Sequence, residues 1–323
     1  EISASLARWN QSYRQLSAGA FYGDIRYLHI NGIELFELHW GQVIHYQGLT
    51  PPGTIGFGLP LNIKGESRYL NRPILDGELL IQRCGSEGDL IGSRNFTIQV
   101  LTIDEQRFFD KVESITGLDS RPLLEHINRL VLHPVIAETL RCKFHTLLHQ
   151  ASDDHTKNNQ LATVVAGQAS NLLEDIAGII VSGSNDQPQL RFTRQRQLVQ
   201  KAKDYLWNRP AVPPRIDNIC ADIGTSERSL RDAFKVCTGI SAGAYLKAVR
   251  LNQVRAVLKA SPPESILVQD VAFNWGFSHM GQFAADYKQL FGEPPSMTLN
   301  HGRLSGDAAF ARDPSVITPQ PPQ

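Results

Sequence analysis

The chain has 323 residues, of which 41% are hydrophobic and 20% are charged, and its formal net charge is zero. This length is enough for two domains with hydrophobic cores, and the composition is typical of a globular protein. No apolar run reaches the length of a membrane span, and the four cysteines are scattered. We therefore expect a cytoplasmic protein with reduced thiols, and neither a membrane protein nor a disulfide framework.

The first part of the chain has the pattern of a small antiparallel β domain. A short polar helix is predicted before residue 20. Alternating apolar and polar residues then flank Asn31-Gly32, which is the strongest short-range signal for a hairpin. Turns rich in glycine and proline separate four further predicted strands, at 43–47, 55–59, 79–84 and 96–103. Many short strands of this kind predict an antiparallel barrel over residues 20–103.

From residue 104 to residue 182 the apolar period is helical, and helices are predicted at 107–115, 122–130, 134–149 and 159–181. The last helix carries a wide apolar stripe that includes Leu172 and Ile176. Part of this stripe covers the barrel, and its width predicts a homodimer interface as well. The composition of residues 184–191 is that of a linker, and residues 301–323, with four prolines, read as a disordered tail.

Two helix-turn-helix patterns lie between residues 192 and 300. In the first, an apolar stripe from Ile216 is followed by a turn, and Ser226 caps a second helix that ends at Gly239. The second pattern repeats this order, with Ser278 as the predicted cap and Gly292 as the end. A helix, a short turn and a second helix is the arrangement that places a recognition helix in a DNA major groove.

A predicted helix from Ser241 to Ala260 joins the two patterns. Its length is roughly 30 Å, close to one turn of B-DNA, so two recognition helices can enter successive major grooves. Residues 191–303 carry 16 Lys and Arg against 9 Asp and Glu, whereas residues 1–190 carry 15 against 21. The basic part is therefore predicted to bind double-stranded DNA.

This basic part resembles the DNA-binding domain of the AraC/XylS family. The shared positions run in the family's order and include Ala221, Ser226, Leu230, Phe234, Gly239, Tyr245-Leu246, Arg250-Leu251, Asp270-Val271-Ala272, Gly276-Phe277, Phe283, Tyr287-Lys288, Phe291-Gly292 and Pro295-Ser296. The stretches 276–284 and 290–299 are similar to the branch that holds the ethanolamine-utilisation regulator. The chain departs from the pattern at Ala242, where proline is usual, and at Thr298-Leu299, where an aromatic residue and arginine are usual.

The resemblance implies an α+β protein with two tasks. A cupin-like N-terminal barrel is expected to bind a small effector and to form a homodimer. The all-α double helix-turn-helix domain is expected to bind DNA and, if the protein is an activator, to work with RNA polymerase. Two alternatives stay open: a cupin-type enzyme with a DNA-binding appendage, and a regulator controlled by a protein partner. No nucleophile–base pair or phosphate loop is visible, so an enzyme is not expected.

The candidate DNA-binding residues lie on the outward faces of the two recognition helices. On the first helix they are Ser226, Arg228, Arg231, Asp232 and Lys235, and on the second Ser278, Gly281, Gln282 and Lys288. Arginine pairs with guanine or phosphate, whereas small residues permit only a close backbone approach. We therefore expect the first helix to read bases and the second to set position. His279 and Met280 are predicted to pack beside Phe283.

Two effector chemistries remain open in the first part of the chain. Glu34 with Trp40, Tyr46 and Phe57 would form an aromatic, acidic pocket for an amine. An anionic, nucleotide-like ligand would instead pair with arginines, namely Arg68, Arg72 and Arg83. A solvated charged rim is the alternative to both. The histidines His29, His39 and His45 lack the H-x-H spacing of metal-binding cupins, so neither a metal nor a cofactor is expected.

Overall fold

The computed structural model describes residues 10–301 apart from 62, 64, 118, 126, 153–158, 184–193 and 210. It confirms the α+β class, because antiparallel sheets and their covering helices precede a helical double helix-turn-helix domain. The predicted linker 184–191 and residues 302–323 of the predicted tail lie outside the described residues.

The strands of the β domain form two antiparallel sheets. In chain order they are β1 Asn10–Gln15, β2 Gly23–Ile30, β3 Ile33–Trp40, β4 Ile44–Leu49, β5 Thr54–Leu61, β6 Arg68–Tyr69, β7 Arg72–Pro73, β8 Glu78–Gln82, β9 Glu87–Gly92, β10 Phe96–Asp104 and β11 Arg129–Val131. Sheet A has the order β1-β4-β9-β6-β7, and sheet B has the order β11-β8-β5-β10-β3-β2. The predicted hairpin is β2–β3, with Asn31 and Gly32 both at positive φ in its turn.

Strand β1 replaces the polar helix that the sequence predicted before residue 20, at least over the described residues 10–15. It pairs antiparallel with β4 from Asn10 opposite Leu49 to Gln15 opposite Ile44. The sequence of this strand is polar, yet its residues Ser12, Arg14 and Gln15 are buried. A neighbouring domain covers them, and that cover is invisible to local periodicity.

The helices of the N-terminal part are α1 Glu105–Thr116, α2 Arg121–Leu124, α3 Pro134–Ser152 and α4 Asn159–Gly183. They pack on the outer face of sheet B and share its hydrophobic core. The helix predicted at 122–130 is wrong beyond Leu124, because β11 there pairs with β8 and extends sheet B.

Helix α4 corrects a second expectation. Its stretch Thr163–Ser182 is long and apolar enough to cross a membrane, judged by length and composition alone. However, Val165, Leu172, Ile176 and Ile180 are buried in the core beneath sheet B. The stripe therefore serves packing inside the protein, and Leu172 and Ile176 cannot form a dimer surface in this arrangement.

The C-terminal part, called here the reader domain, comprises α5 Arg194–Trp207, α6 Ile216–Ile223, α7 Glu227–Thr238, α8 Ala242–Ala260, α9 Val268–Asn274, α10 Met280–Phe291 and α11 Pro295–His301. Two hydrophobic clusters hold it, one around α5–α7 and the start of α8, the other around the end of α8 and α9–α11. The predicted connecting helix is α8, and the side chain of Ser241 caps it by accepting from the amide of Ala244.

Candidate nucleic-acid interface and effector cavity

Helix α7 presents its predicted polar face to solvent. The Ser226 hydroxyl accepts from the amide of Ser229 at 3.2 Å and thereby caps the helix. The buried face carries Leu230, Ala233, Phe234 and Cys237, so the helix is fixed against α5 and α8. The predicted contact residues Ser226, Arg228, Arg231, Asp232 and Lys235 are all exposed.

One of these arginines has a partner within the helix. The Arg231 guanidinium pairs with the Glu227 carboxylate one turn earlier. Because both side chains are exposed, this pair contributes little to stability and can be exchanged for a contact with DNA. In the absence of DNA, Arg231 is therefore paired along the exposed face of α7.

Helix α10 begins one residue later than predicted. His279 occupies the N-cap position without a side-chain hydrogen bond, so Ser278 does not cap the helix. His279 is exposed, contrary to its predicted packing role, whereas Met280 packs against the second hydrophobic cluster as expected. The predicted contact residues Ser278, Gly281, Gln282 and Lys288 are exposed.

Asp286 ties the second recognition helix to the connecting helix. Its carboxylate accepts from Gln282 Nε2 at 3.1 Å and from Lys247 Nζ at 3.0 Å. The Gln282 amide is therefore already hydrogen-bonded before DNA binds. That bond uses one of its two N–H donors and holds the side chain along the helix, which fits a positioning role for this helix.

A cavity of about 70 Å³ lies between the two sheets. Its wall is mostly apolar and aromatic, and no side chain in it carries a charge. The lining residues are Gln11, Tyr13, Phe36, Leu38, Trp40, Tyr46, Gly56, Gly58, Tyr69, Leu80, Gln82, Leu90, Ile98 and Val100. A concave apolar site with few polar groups is the usual form of a small-molecule pocket.

The pocket predicted from the sequence does not form as a group. Trp40 and Tyr46 line the cavity, but Phe57 lies on the other face of sheet B, 4.8 Å from the Phe108 ring centroid. Glu34 lies at the start of β3 and is not part of the wall. Alternation along strands puts Phe57 and Trp40 on opposite faces of the sheet, so one pocket cannot hold both.

The three predicted anion-binding arginines are also apart from the cavity. Arg68 pairs with Glu66 at 3.0 Å, and Arg83 pairs with Glu105 at 3.1 Å. Arg72 lies on β7 at the edge of sheet A, and partial burial lowers its pKa below the usual range. None of the three lines the cavity, and Arg68 and Arg83 are already paired with carboxylates.

The outer face of sheet A binds the reader domain through a buried polar network. Lys203 on α5 donates to both carboxylate oxygens of Asp89 on β9 and to Asn71 Oδ1, each at 2.8 Å. Asp89 also contacts His45 Nε2 at 3.2 Å, and His45 Nδ1 is 2.8 Å from the hydroxyl of Tyr245 on α8. We call these five residues the interdomain network.

Protonation in this network follows from its geometry. Lys203, Asp89 and His45 are at most 1% exposed. Burial and the nearby Lys203 charge lower the pKa of His45 to about 4, so its ring is neutral at pH 7. Despite its burial, the pKa of Asp89 lies below the usual range because Lys203 and His45 stabilise the carboxylate. Since an ionised Asp89 can only accept, His45 Nε2 donates to it and His45 Nδ1 accepts from Tyr245.

The second helix-turn-helix unit is also tied to the β domain. The backbone amide of Gln15 donates to Asn252 Oδ1 at 3.0 Å, and Asn252 Nδ2 donates back to the Gln15 carbonyl at 2.9 Å. The amide of Gly19 donates to the Gln289 carbonyl at 3.0 Å. Both units therefore contact the same sheet, and sequence reasoning missed this interface.

The only sequence signal for this interface was weak. Strand β9 carries Asp89 between apolar residues, and α5 carries Lys203 on its otherwise apolar face. A charged side chain at a buried position only makes the apolar pattern of its strand or helix less regular. A single sequence therefore does not show that the charge belongs to an interface. Their distance along the chain, 114 residues, left nothing to connect them.

Known proteins with sequences similar to this chain include transcription regulators. A family described as a helix-turn-helix domain matches residues 219–301. A probable thc operon regulatory protein of Rhodococcus erythropolis is 32% identical over 127 residues, which is 38% of each chain. The XylDLEGF operon transcriptional activator of Pseudomonas putida is 27% identical over 132 residues, or 39% of this chain and 41% of that protein.

One solved structure is also similar in sequence to part of this chain. A probable AraC family transcriptional regulator from Rhodopseudomonas palustris CGA009 is 34% identical, and the match covers 33% of this chain and 97% of that one, with a TM-score of 0.29. The matches to the two operon regulators span about two fifths of their length.

Proposed function

Because this chain belongs to the AraC/XylS family of transcriptional regulators, we propose that it is a sequence-specific DNA-binding regulator controlled by a small effector. The observation that carries the proposal is the exposed basic face of α7, held by a buried apolar face within a helix-turn-helix unit. A basic row of this kind fits the major groove, where arginine recognises guanine and lysine binds phosphate.

Sheet A supplies the route from effector to DNA in this proposal. Neighbouring residues on its strands alternate between the cavity and the reader domain. Tyr46 and Leu90 line the cavity, whereas His45 and Asp89 belong to the interdomain network. A ligand that shifts β4 or β9 therefore moves both sides of the sheet, because backbone and both side-chain rows belong to the same strands.

The finer features of the function are also proposals. The stretches 276–284 and 290–299 support a place near the ethanolamine-utilisation regulators. The Pseudomonas putida relative is a transcriptional activator, and we propose that this chain likewise activates transcription, with RNA polymerase as its partner. A homodimer is proposed through the exposed apolar residues of α3 and α4, namely Val135, Ile136 and Val164.

Selection from a pool of random duplexes tests the proposed DNA binding. The full chain should enrich one sequence with two short conserved blocks about one helical turn apart, because α8 sets the distance between the units. The affinity for that site should exceed that for random DNA by about a thousandfold or more and should fall steeply with salt. Enrichment of no sequence, with binding that depends on salt alone, would contradict sequence-specific regulation.

A further inference from the structure

The cavity between the sheets is built for one class of ligand. Its walls come from both sheets, and the aromatic rings of Tyr13, Tyr46 and Trp40 contact one another: the Tyr13 centroid is 5.4 Å from Tyr46 and 6.2 Å from Trp40. Phe96 stacks behind Trp40 at 5.3 Å. Aromatic and aliphatic walls stabilise apolar surface and offer no counter-charge.

Charged ligands have no partner in this cavity. Burial raises the pKa of Tyr13, Tyr46 and Tyr69 well above the usual range, so all three phenols are neutral. Asp89 precedes the cavity residue Leu90 on β9, but it lies on the opposite face of sheet A. Its charge is already paired with that of Lys203. An isolated ammonium or carboxylate in such a space would lose its hydration without replacement, which is strongly unfavourable.

One polar group in the wall is left unused. The Trp40 indole is 4% exposed, and its Nε1 has no hydrogen-bond partner within the described part of the chain. This nitrogen lies over Gly92 on the inner face of β9, where a Cβ atom would come within 2.5 Å of it. Two of the tyrosine hydroxyls in the wall have partners: Tyr69 donates to the Ile81 carbonyl, and Tyr13 donates to Gln11 Oε1. Because this nitrogen is packed against β9 and has almost no accessible surface, it does not open onto the cavity and offers a ligand no hydrogen bond.

We propose that the effector is a small uncharged molecule with an apolar body. This inference rests on the proposed function, which makes the cavity the effector site. It replaces the two chemistries expected from the sequence, the amine and the nucleotide-like anion. Neither the acidic nor the basic residues predicted for those ligands lie in the wall.

A matched set of small probes tests the inference. Isobutanol, isobutylamine and isobutyrate share one carbon skeleton and differ in charge, and their size, on the order of five non-hydrogen atoms, suits a cavity smaller than the ~150 Å³ that admits benzene. The full chain is labelled with 5-fluorotryptophan, and the ¹⁹F signal of Trp40 is identified by its loss in Trp40→Phe. Isobutanol should shift that signal saturably, and the two ions should bind at least about tenfold more weakly.

Two variants locate the binding. Gly56→Val should abolish the isobutanol response, because a side chain there enters the cavity; its Cβ meets no heavy atom closer than 3.6 Å, so the strand can accept it. Gly56→Ala, which should weaken the response, replaces it if the valine variant does not fold. Gly167→Ala on α4, whose added Cβ meets no atom within 4 Å, is the control and should bind like the parent.

Ligand-observed saturation transfer with the unlabelled chain measures the same affinities independently of the fluorine label. Equal or tighter binding of the amine or the carboxylate would overturn the inference, as would unchanged binding to Gly56→Val or no binding of any probe. No DNA is present in these measurements, so they can fail while site selection from random duplexes succeeds, and the reverse.

Discussion

His45 is the residue at which the two halves of the protein meet. It is fully buried, and its two ring nitrogens contact opposite domains, with Asp89 on the β domain and Tyr245 on the reader domain. The charged groups near its ring are Asp89, Lys203 and Arg14. The neutral ring fits this position because it can donate at one nitrogen and accept at the other.

The pH dependence of stability follows from His45. Its pKa is about 4 in the folded protein and about 6.5 in an unfolded chain, so below pH 6.5 the unfolded state binds a proton that the folded state excludes. The free energy of unfolding should therefore fall between pH 6.5 and 4, by up to about 1.4 kcal/mol per pH unit. Urea titrations at several pH values measure this slope. His45→Gln should flatten it, exposed His29→Gln should not, and an unchanged slope in His45→Gln would contradict the assignment.

Ser226 has a structural role and a proposed DNA role that substitution can separate. Ser226→Ala should cost about 1 kcal/mol of stability, because the Ser229 amide loses its cap. Ser226→Asn and Ser226→Asp should both recover most of that loss. Only the aspartate should weaken DNA binding, since its charge would oppose phosphate. Thermal unfolding and duplex binding by fluorescence anisotropy measure the two effects, and equal affinities of the two capping variants would exclude a nearby phosphate.

At the scale of elements, the recognition helices differ in how their polar residues are held. Helix α7 carries Arg228 and Arg231 outward, whereas Gln282 on α10 is bonded to Asp286. Arg228→Ala and Arg231→Ala should each cost ~1–3 kcal/mol of specific binding, and Gln282→Ala should be nearly silent. A base-substitution series across the selected site should then show large losses of affinity in the groove that α7 contacts and small losses in the groove that α10 contacts. If the arginine variants lose as much affinity for random DNA as for the selected site, the two arginines contact phosphates and not bases.

Helix α4 gives the element-scale test of the proposed dimer. Leu172→Ala should cost about 2–5 kcal/mol, because the residue is fully buried in the core. Val135→Lys with Val164→Lys should leave the fold intact, since both side chains are more than half exposed. If those two residues face a second copy, sedimentation should show a monomer with weakened operator binding. A parent that sediments as a monomer would exclude this dimer.

Element type was predictable from the sequence where local periodicity decided it. The hairpin at Asn31-Gly32, helix α1, helix α4 and the reader-domain helices α6 to α10 follow from turn chemistry and apolar spacing, whereas α5 and α11 were not predicted. The cavity was only half predictable: the aromatic residues were noticed, but assigning Trp40 and Phe57 to opposite faces required the register of β3 and β5 on β10. Strand β1 and the polar outer face of sheet A were missed because only tertiary packing buries them.

On the scale of the whole molecule, the interdomain network determines how the halves respond together. Lys203→Met alone leaves the Asp89 charge buried without its partner and should cost about 3–5 kcal/mol. The double change Lys203→Met with Asp89→Leu should recover much of this stability, while the polar link between the domains stays lost. Small-angle scattering should then show a larger radius of gyration, and DNA binding should become insensitive to the effector. A double variant as compact and as responsive as the parent would rule out a coupling role.

Sheet A has a consequence for recombination between regulators. Along β4 and β9, adjacent residues face two different surroundings, the cavity on one side and the reader domain on the other. A β domain grafted from a relative would bring its own ligand specificity, but its outer positions would meet Lys203 and Tyr245 without matching partners. Chimeras of this chain should therefore respond to a foreign effector only when Asp89, His45 and Asn71 are introduced into the grafted β domain. The residues that face the reader domain must then be exchanged together, as one set.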